Sequence, residues 1–279
     1  MEPALQLLNV LLPLGYLLAA LAYLVVFLEA PDWVRRWVTP LTATVAGAHL
    51  AYLVLLTVVF RHVPVANAWE SFTFVAFALA VVYLALEWKW KDKATGIFVM
   101  VPVLFFQVLS SAFVTHSREV DEILRSPLFG IHVTAALLGY VALSVAAVYG
   151  AMYILLYREL KKHRVGLIFR RLPNLETLSR LNLGAVLFGW IGLTVAIIWG
   201  TIWARDLVST GALSGGFYTD PKFLLTLVLW VLYGLTLGGR YFFRWPNRQL
   251  AYLSMVAFVI MVGSSLAVNL FLPSFHQFS

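Results

Sequence analysis

A chain of 279 residues that is 62% hydrophobic and only 12% charged has too few polar side chains to coat a water-soluble globule. Its mean hydropathy of +0.87 resides in apolar blocks of a length that spans about 30 Å of hydrocarbon as helix, which excludes the weaker alternating pattern of a membrane β-barrel. The absence of Cys excludes disulfides, thiolate metal sites, covalent haem attachment and Cys nucleophiles within this chain, and the net charge of +7 is accounted for by membrane topology without nucleic acid as a partner.

In chain order, the first block covers residues 7–29 and continues directly into Pro31, Asp32 and Arg35, with no small-residue cleavage site, so it is expected to be a retained helix. The second, 41–60, carries His49 at its middle and is followed by His62; the third, 69–87, leads into Lys89, Lys91 and Lys93. The fourth, 96–115, ends at His116 and a mixed-charge segment, and the fifth, 129–157, opens with His132. A basic stretch over 158–182 holds His163, Arg170, Arg171 and Arg180 among Leu167, Ile168 and Phe169, and reads as an inner loop or as a segment lying along anionic lipid. The sixth block, 183–204, ends in Trp199-Gly200-Thr201-Ile202-Trp203-Ala204. After a Gly/Ser-rich stretch, Asp220-Pro221-Lys222 marks the start of the seventh, 223–239, where a carboxylate favours the helix dipole. The eighth, 251–272, is followed by His276. These blocks predict an all-α polytopic membrane protein of about eight transmembrane helices, one integral membrane domain over residues 1–279. Alternate loops hold 15 of the 20 Lys and Arg residues, which places both termini outside.

Few groups in such a chain can do chemistry, so the His residues carry most of the information. His49 lies mid-span, where an imidazole needs a partner; a packing hydrogen bond and a cofactor role both satisfy that need. His132 and His276 both stand at outer helix ends, as interfacial residues or as a pair of ligands; two imidazoles suit bis-His haem iron or one soft-to-borderline metal ion, haem being favoured because no third or fourth His, Cys or carboxylate is obviously nearby. Between them in sequence lie Trp199, Trp203, Phe217 and Trp230, which either cover a flat macrocycle or belong to the aromatic belt of the membrane interface.

Four stretches in order resemble the CcsA/ResC cytochrome c assembly family and its relative HemX. His62-Val63-Pro64-Val65-Ala66-Asn67-Ala68-Trp69-Glu70-Ser71 is similar to the family's His-x-Pro-x-x-Asn-x-Tyr-Glu-Ser stretch, and His132-Val133 with Tyr140 to its His-Val-Ser helix. Asp220-Pro221-Lys222 with Trp230 and Tyr233 looks like the end of the Trp-rich motif, and Asn269-Leu270 with Ser274-Phe275-His276 like the closing segment. Two stretches depart. Ser214-Gly215-Gly216-Phe217-Tyr218-Thr219-Asp220 lacks most of the motif's tryptophans, and Leu237-Gly238-Gly239-Arg240 lacks the family's inner His. Both departures pull toward the HemX-like branch.

The resemblance implies haem b bound without covalent attachment, with His132 and His276 on the iron, Trp199, Trp203, Phe217 and Asp220 around it, and His49 as a substitute for the missing inner His. It implies haem handling in cytochrome c maturation at the outer face of a bacterial inner membrane, with a ResB/CcsB-like membrane protein and apocytochrome c as partners. That role is closer to a chaperone with an attachment step than to acid-base catalysis, so no catalytic side chain is assigned. The alternatives are a HemX-type scaffold linked to glutamyl-tRNA reductase and, more weakly, a small-solute transporter. The charge split predicts that a reporter fused after Ser279 is active only outside and a tag within residues 160–166 is reached only from inside; the opposite pattern in a protease-accessibility assay would invert the topology.

Overall fold

The computed structural model describes residues 2–29, 31–65, 67–114, 126–163, 165–211 and 217–271, without the side chains of Glu2, Phe217 and residues 269–271. Among these, the regular structure is helical throughout: α1 (Glu2–Leu28), α2 (Asp32–Phe60), α3 (Ala68–Trp90), α4 (Gly96–Phe113), α5 (Pro127–Lys161), α6 (Leu167–Arg171), α7 (Leu175–Ser209), α8 (Pro221–Tyr241) and α9 (Asn247–Phe271). All but α6 are long and apolar enough to cross a membrane, and the chain is a multi-pass membrane protein with the eight spans expected. Several helices outrun their apolar blocks. Helix α5 extends to Lys161 and α7 starts at Leu175, because backbone hydrogen bonding continues through polar residues that hydropathy excludes. The basic stretch after α5 also contains the short helix α6.

Local chemistry sets several of these ends. The Asn67 side chain accepts from the Glu70 amide at 2.9 Å and Asn174 accepts from the Thr177 amide at 2.8 Å, each satisfying a donor that the first helical turn leaves over. Arg61 and Lys91 close α2 and α3 in the left-handed region at φ 59° and 55°, their amides returning to Thr57 and Glu87.

The chain divides into two compact units, residues 1–118 with 155–173, and residues 119–154 with 174–279. In the first, α1 packs on α2 and α4, and α3 also packs on α2 and α4, which closes a four-helix bundle. Its interior is polar at two levels. Near one end, the buried Glu87 carboxylate accepts from the Tyr23 and Thr39 hydroxyls and lies 3.8 Å from Lys93 Nζ. At mid-span, the Tyr16 hydroxyl meets His49 Nδ1 at 3.0 Å and His49 Nε2 meets Thr73 Oγ1 at 2.9 Å. Thr73 donates onward to Gln107 Oε1 at 2.9 Å, and Gln107 Nε2 to Ser111 Oγ at 3.0 Å. The direction of this chain assigns the tautomer. Thr73 spends its proton on Gln107, so it accepts from His49 Nε2–H, and Nδ1 accepts from Tyr16. One imidazole thereby ties together all four helices of the bundle, and it is completely buried.

In the second unit, the first part of α5 and helices α7, α8 and α9 surround a core that includes Leu143, Val186, Leu193, Leu229, Tyr233 and Met261. Helices α5 and α7 cross at bare backbone: a Cβ on Gly192 would lie 2.9 Å from Gly139 Cα, so only glycine permits the approach. Asn182 on α7 donates to Ala146 O of α5 at 2.7 Å and to Ser254 Oγ of α9 at 2.8 Å. Trp190 and Trp230 stack at 5.2 Å and lock α7 to α8, Trp190 Nε1 donating to Trp230 O and Trp230 Nε1 to Thr194 Oγ1.

Removal of the His49 imidazole leaves Tyr16 and Thr73 without it in an apolar interior, at a cost of about 1–3 kcal/mol for each stranded group. His49→Ala is therefore expected to lower the melting temperature in detergent clearly and His49→Gln much less. An unchanged melting temperature for His49→Ala would remove the network from the stability of this unit.

Candidate functional site

The second unit contains a cavity of about 110 Å³ formed where α5, α7 and α8 meet. Helix α5 supplies His132, Ala136 and Tyr140, a spacing of four residues that keeps all three on one face. Helix α7 supplies Ala196, Ile197 and Gly200, and α8 supplies Lys222, Phe223 and Thr226. The lining is mostly apolar with a few convergent polar groups, the usual make-up of a ligand site, but the volume is well below the roughly 300–1,000 Å³ of pockets that enclose a drug-sized molecule. It accepts part of a large ligand, not the whole.

His132 is the chemically distinctive member. Its Nδ1 lies 2.8 Å from the carbonyl oxygen of Ala196. A carbonyl only accepts, so Nδ1 carries the proton and, in the neutral ring, the lone pair stands on Nε2. Metal-binding imidazoles are held in this way, one ring nitrogen donating to a backbone carbonyl while the other ligates. The ring is stacked beside Trp203, with centroids 6.2 Å apart and planes at 21°, and Phe129 packs against Trp203 at 5.2 Å. Trp203 is 4% exposed, and its buried Nε1–H has no hydrogen-bond acceptor among the described residues. Such a donor, next to a lone-pair nitrogen, is a feature that a bound group with an oxygen acceptor would satisfy.

The other residues singled out from sequence fall as follows. Trp199 is half-buried on α7 and Asp220 is buried as the cap of α8, accepting from the amides of Lys222 at 2.8 Å and Phe223 at 3.3 Å, as its place before Pro221 implies. Phe217 opens a short 3-10 turn, Phe217–Thr219, with its ring outside the described set. His276 and His116 lie outside the described residues, so the pairing of His132 with His276 is not part of this geometry. His49 belongs to the first unit with both nitrogens hydrogen-bonded. Among the described residues no group of three or more His, Asp or Glu converges on a metal position. Lys222, Thr226 and Gly200 join the lining only through the packing of α7 and α8 against α5. Lys222 and Thr226 stand one helical turn apart directly after the Asp220 cap, a pattern legible in sequence, but nothing there shows which helix they face.

The Asn67-x-x-Glu70 part of the first motif also acquires a physical role, since Asn67 caps α3 and Glu70 is buried at its third position. The sequence profile of the family described as Cytochrome C assembly protein matches residues 65–276. Protein HemX of Brevibacillus brevis is 28% identical over 251 residues, covering 88% of this chain and 89% of the relative. Protein HemX of Bacillus subtilis (strain 168) is 28% identical with coverage of 95% and 94%, and cytochrome c biogenesis protein CcsA of Parasynechococcus marenigrum (strain WH8102) is 24% identical with coverage of 95% and 93%. With a match that runs from the start of α3 through α9, the chain belongs to the cytochrome c assembly protein family.

Proposed function

We propose that the chain is a haem-handling membrane protein of cytochrome c maturation that presents non-covalently bound haem b at the outer face of a bacterial inner membrane. The observation that carries this reading is the His132 imidazole, whose Nδ1–H is held by the Ala196 carbonyl so that Nε2 is the nitrogen with the lone pair. His132 and His276 would hold the iron, with Trp203, Trp199 and Phe217 beside the macrocycle. Asp220 shapes the outer segment by capping α8, which keeps Lys222 and Thr226 at the cavity. When bound, haem supplies vinyl groups across which the cysteine S–H groups of an apocytochrome add. The protein's part is to bind, orient and shield: the apolar cavity wall limits water, and the stacked Trp203 limits rotation of the imidazole. The whole chain acts as one integral membrane domain with both termini outside, in complex with a ResB/CcsB-like membrane protein. His49 supports the first bundle, consistent with both of its nitrogens being engaged.

The second reading is a HemX-type scaffold linked to haem biosynthesis. It is favoured by the two HemX relatives, which span nearly the whole chain, and by the shortage of tryptophans in the segment before Asp220. Affinity purification separates the two, by recovery of a ResB-like protein or of glutamyl-tRNA reductase.

The ligand assignment is tested with visible and electron paramagnetic resonance spectra of purified protein. His132→Ala or His276→Ala is expected to abolish or convert a low-spin bis-His spectrum, whereas His163→Ala, in the basic segment after α5, leaves it intact. Haem binding at parental affinity by the His132/His276 double variant would discard the assignment.

A further inference from the structure

Ala196 O is already an α-helical acceptor, since the i→i−4 pattern directs the amide of Gly200 to it. His132 Nδ1–H uses the second lone pair of the same oxygen. To reach it, the imidazole must lie over the turn between residues 196 and 200, against the surface that the side chain of residue 200 would cover. A Cβ built on Gly200 would lie 2.6 Å from His132 Nδ1 and 2.8 Å from its Cε1, closer than any real side chain packs. Gly200 is buried mid-helix, where glycine is otherwise unfavourable by about 1 kcal/mol relative to alanine. Gly184, on the same helix, has nothing within 4 Å of the place a Cβ would take and tolerates a methyl group.

We propose that Gly200 is a positioning residue for His132: its missing side chain is the notch through which the imidazole reaches the Ala196 carbonyl, and that bond selects Nε2 as the nitrogen presented to a ligand. The inference deepens the haem reading, since the value of Nε2 there rests on His132 binding iron. The notch itself is independent of haem. With any side chain at position 200, the ring must swing off the carbonyl, and the tautomer and the ring plane stacked on Trp203 are released together.

The test uses the full-length protein in lipid nanodiscs, labelled with 15N-histidine, with the His132 signals assigned by their loss in His132→Gln. Without haem, the parent and Gly184→Ala are expected to show His132 protonated at Nδ1, and Gly200→Ala to lose that signal. On titration with haem, Gly200→Ala is expected to bind at least about tenfold more weakly, the scale seen when the hydrogen-bond partner of a metal-binding imidazole is removed. Retention of the Nδ1–H signal in Gly200→Ala would overturn the proposal. Loss of that signal with haem affinity unchanged would support the notch and overturn the haem-ligand role of His132 instead. If Gly200→Ala does not accumulate, the double variant Gly200→Ala/His132→Ala decides: recovery to the level of His132→Ala identifies the imidazole as what the methyl group strikes, and failure to recover places the clash elsewhere and overturns the proposal.

Discussion

A polar group inside hydrocarbon must find its partner within the protein, because water is not there to supply one, and most of the specific structure of this chain follows from that constraint. In the first unit it gathers helices α1 to α4 around His49. Tyr16, Thr73 and Gln107 stand on three helices and His49 on the fourth, and the chain of hydrogen bonds closes only if all four pack in one register. Apolar packing alone selects weakly among registers in a membrane, since lipid tails are as apolar as the side chains they compete with. The directed chain from Tyr16 to Ser111 supplies the selectivity. Glu87 repeats the logic near the end of α3, where a carboxylate is retained by two hydroxyls and a nearby ammonium.

The same constraint acts on His132 with a different result. At His49 both ring nitrogens are consumed by hydroxyls, which makes the residue part of the framework. At His132 a backbone carbonyl holds Nδ1, so the proton is assigned and Nε2 keeps the lone pair in the neutral ring. A carbonyl partner orients an imidazole without offering it a second proton. The wall around it combines a stacked indole, a small cavity, and Lys222 with Thr226 from the start of α8. Asp220 controls where that wall begins, since its cap fixes the first turn of α8.

Glycine permits both kinds of contact in the second unit. Gly139 and Gly192 let α5 approach α7 to backbone distance, and Gly200 lets a side chain of α5 rest on the backbone of α7. The tryptophan pair Trp190 and Trp230 then binds α8 to the same helix by reciprocal use of indole donors. Three helices are held together this way around the end of α5 that carries His132.

The eight spans were legible in the sequence because crossing a bilayer is a local demand: about 20 apolar residues suffice whatever their neighbours are. The place of Asp220 at the start of α8 was likewise readable, since it acts on amides two and three residues away, whereas the cap that Asn67 provides for α3 emerged only with the structure. The family resemblance rested on such short runs and drew attention to His132 and Trp203, whose rings stack, and to Asp220, which caps α8. What His49 and His132 do with their nitrogens was not legible. His49 meets residues 33 and 24 positions away, and His132 a carbonyl 64 positions away. Hydropathy records how deep a helix lies but not how it is rotated, and rotation decides which residue an imidazole meets. The sequence by itself therefore determined the spans and the candidate ligands, while the tertiary structure decided which groups each imidazole meets, because that depends on the faces that distant helices turn toward each other.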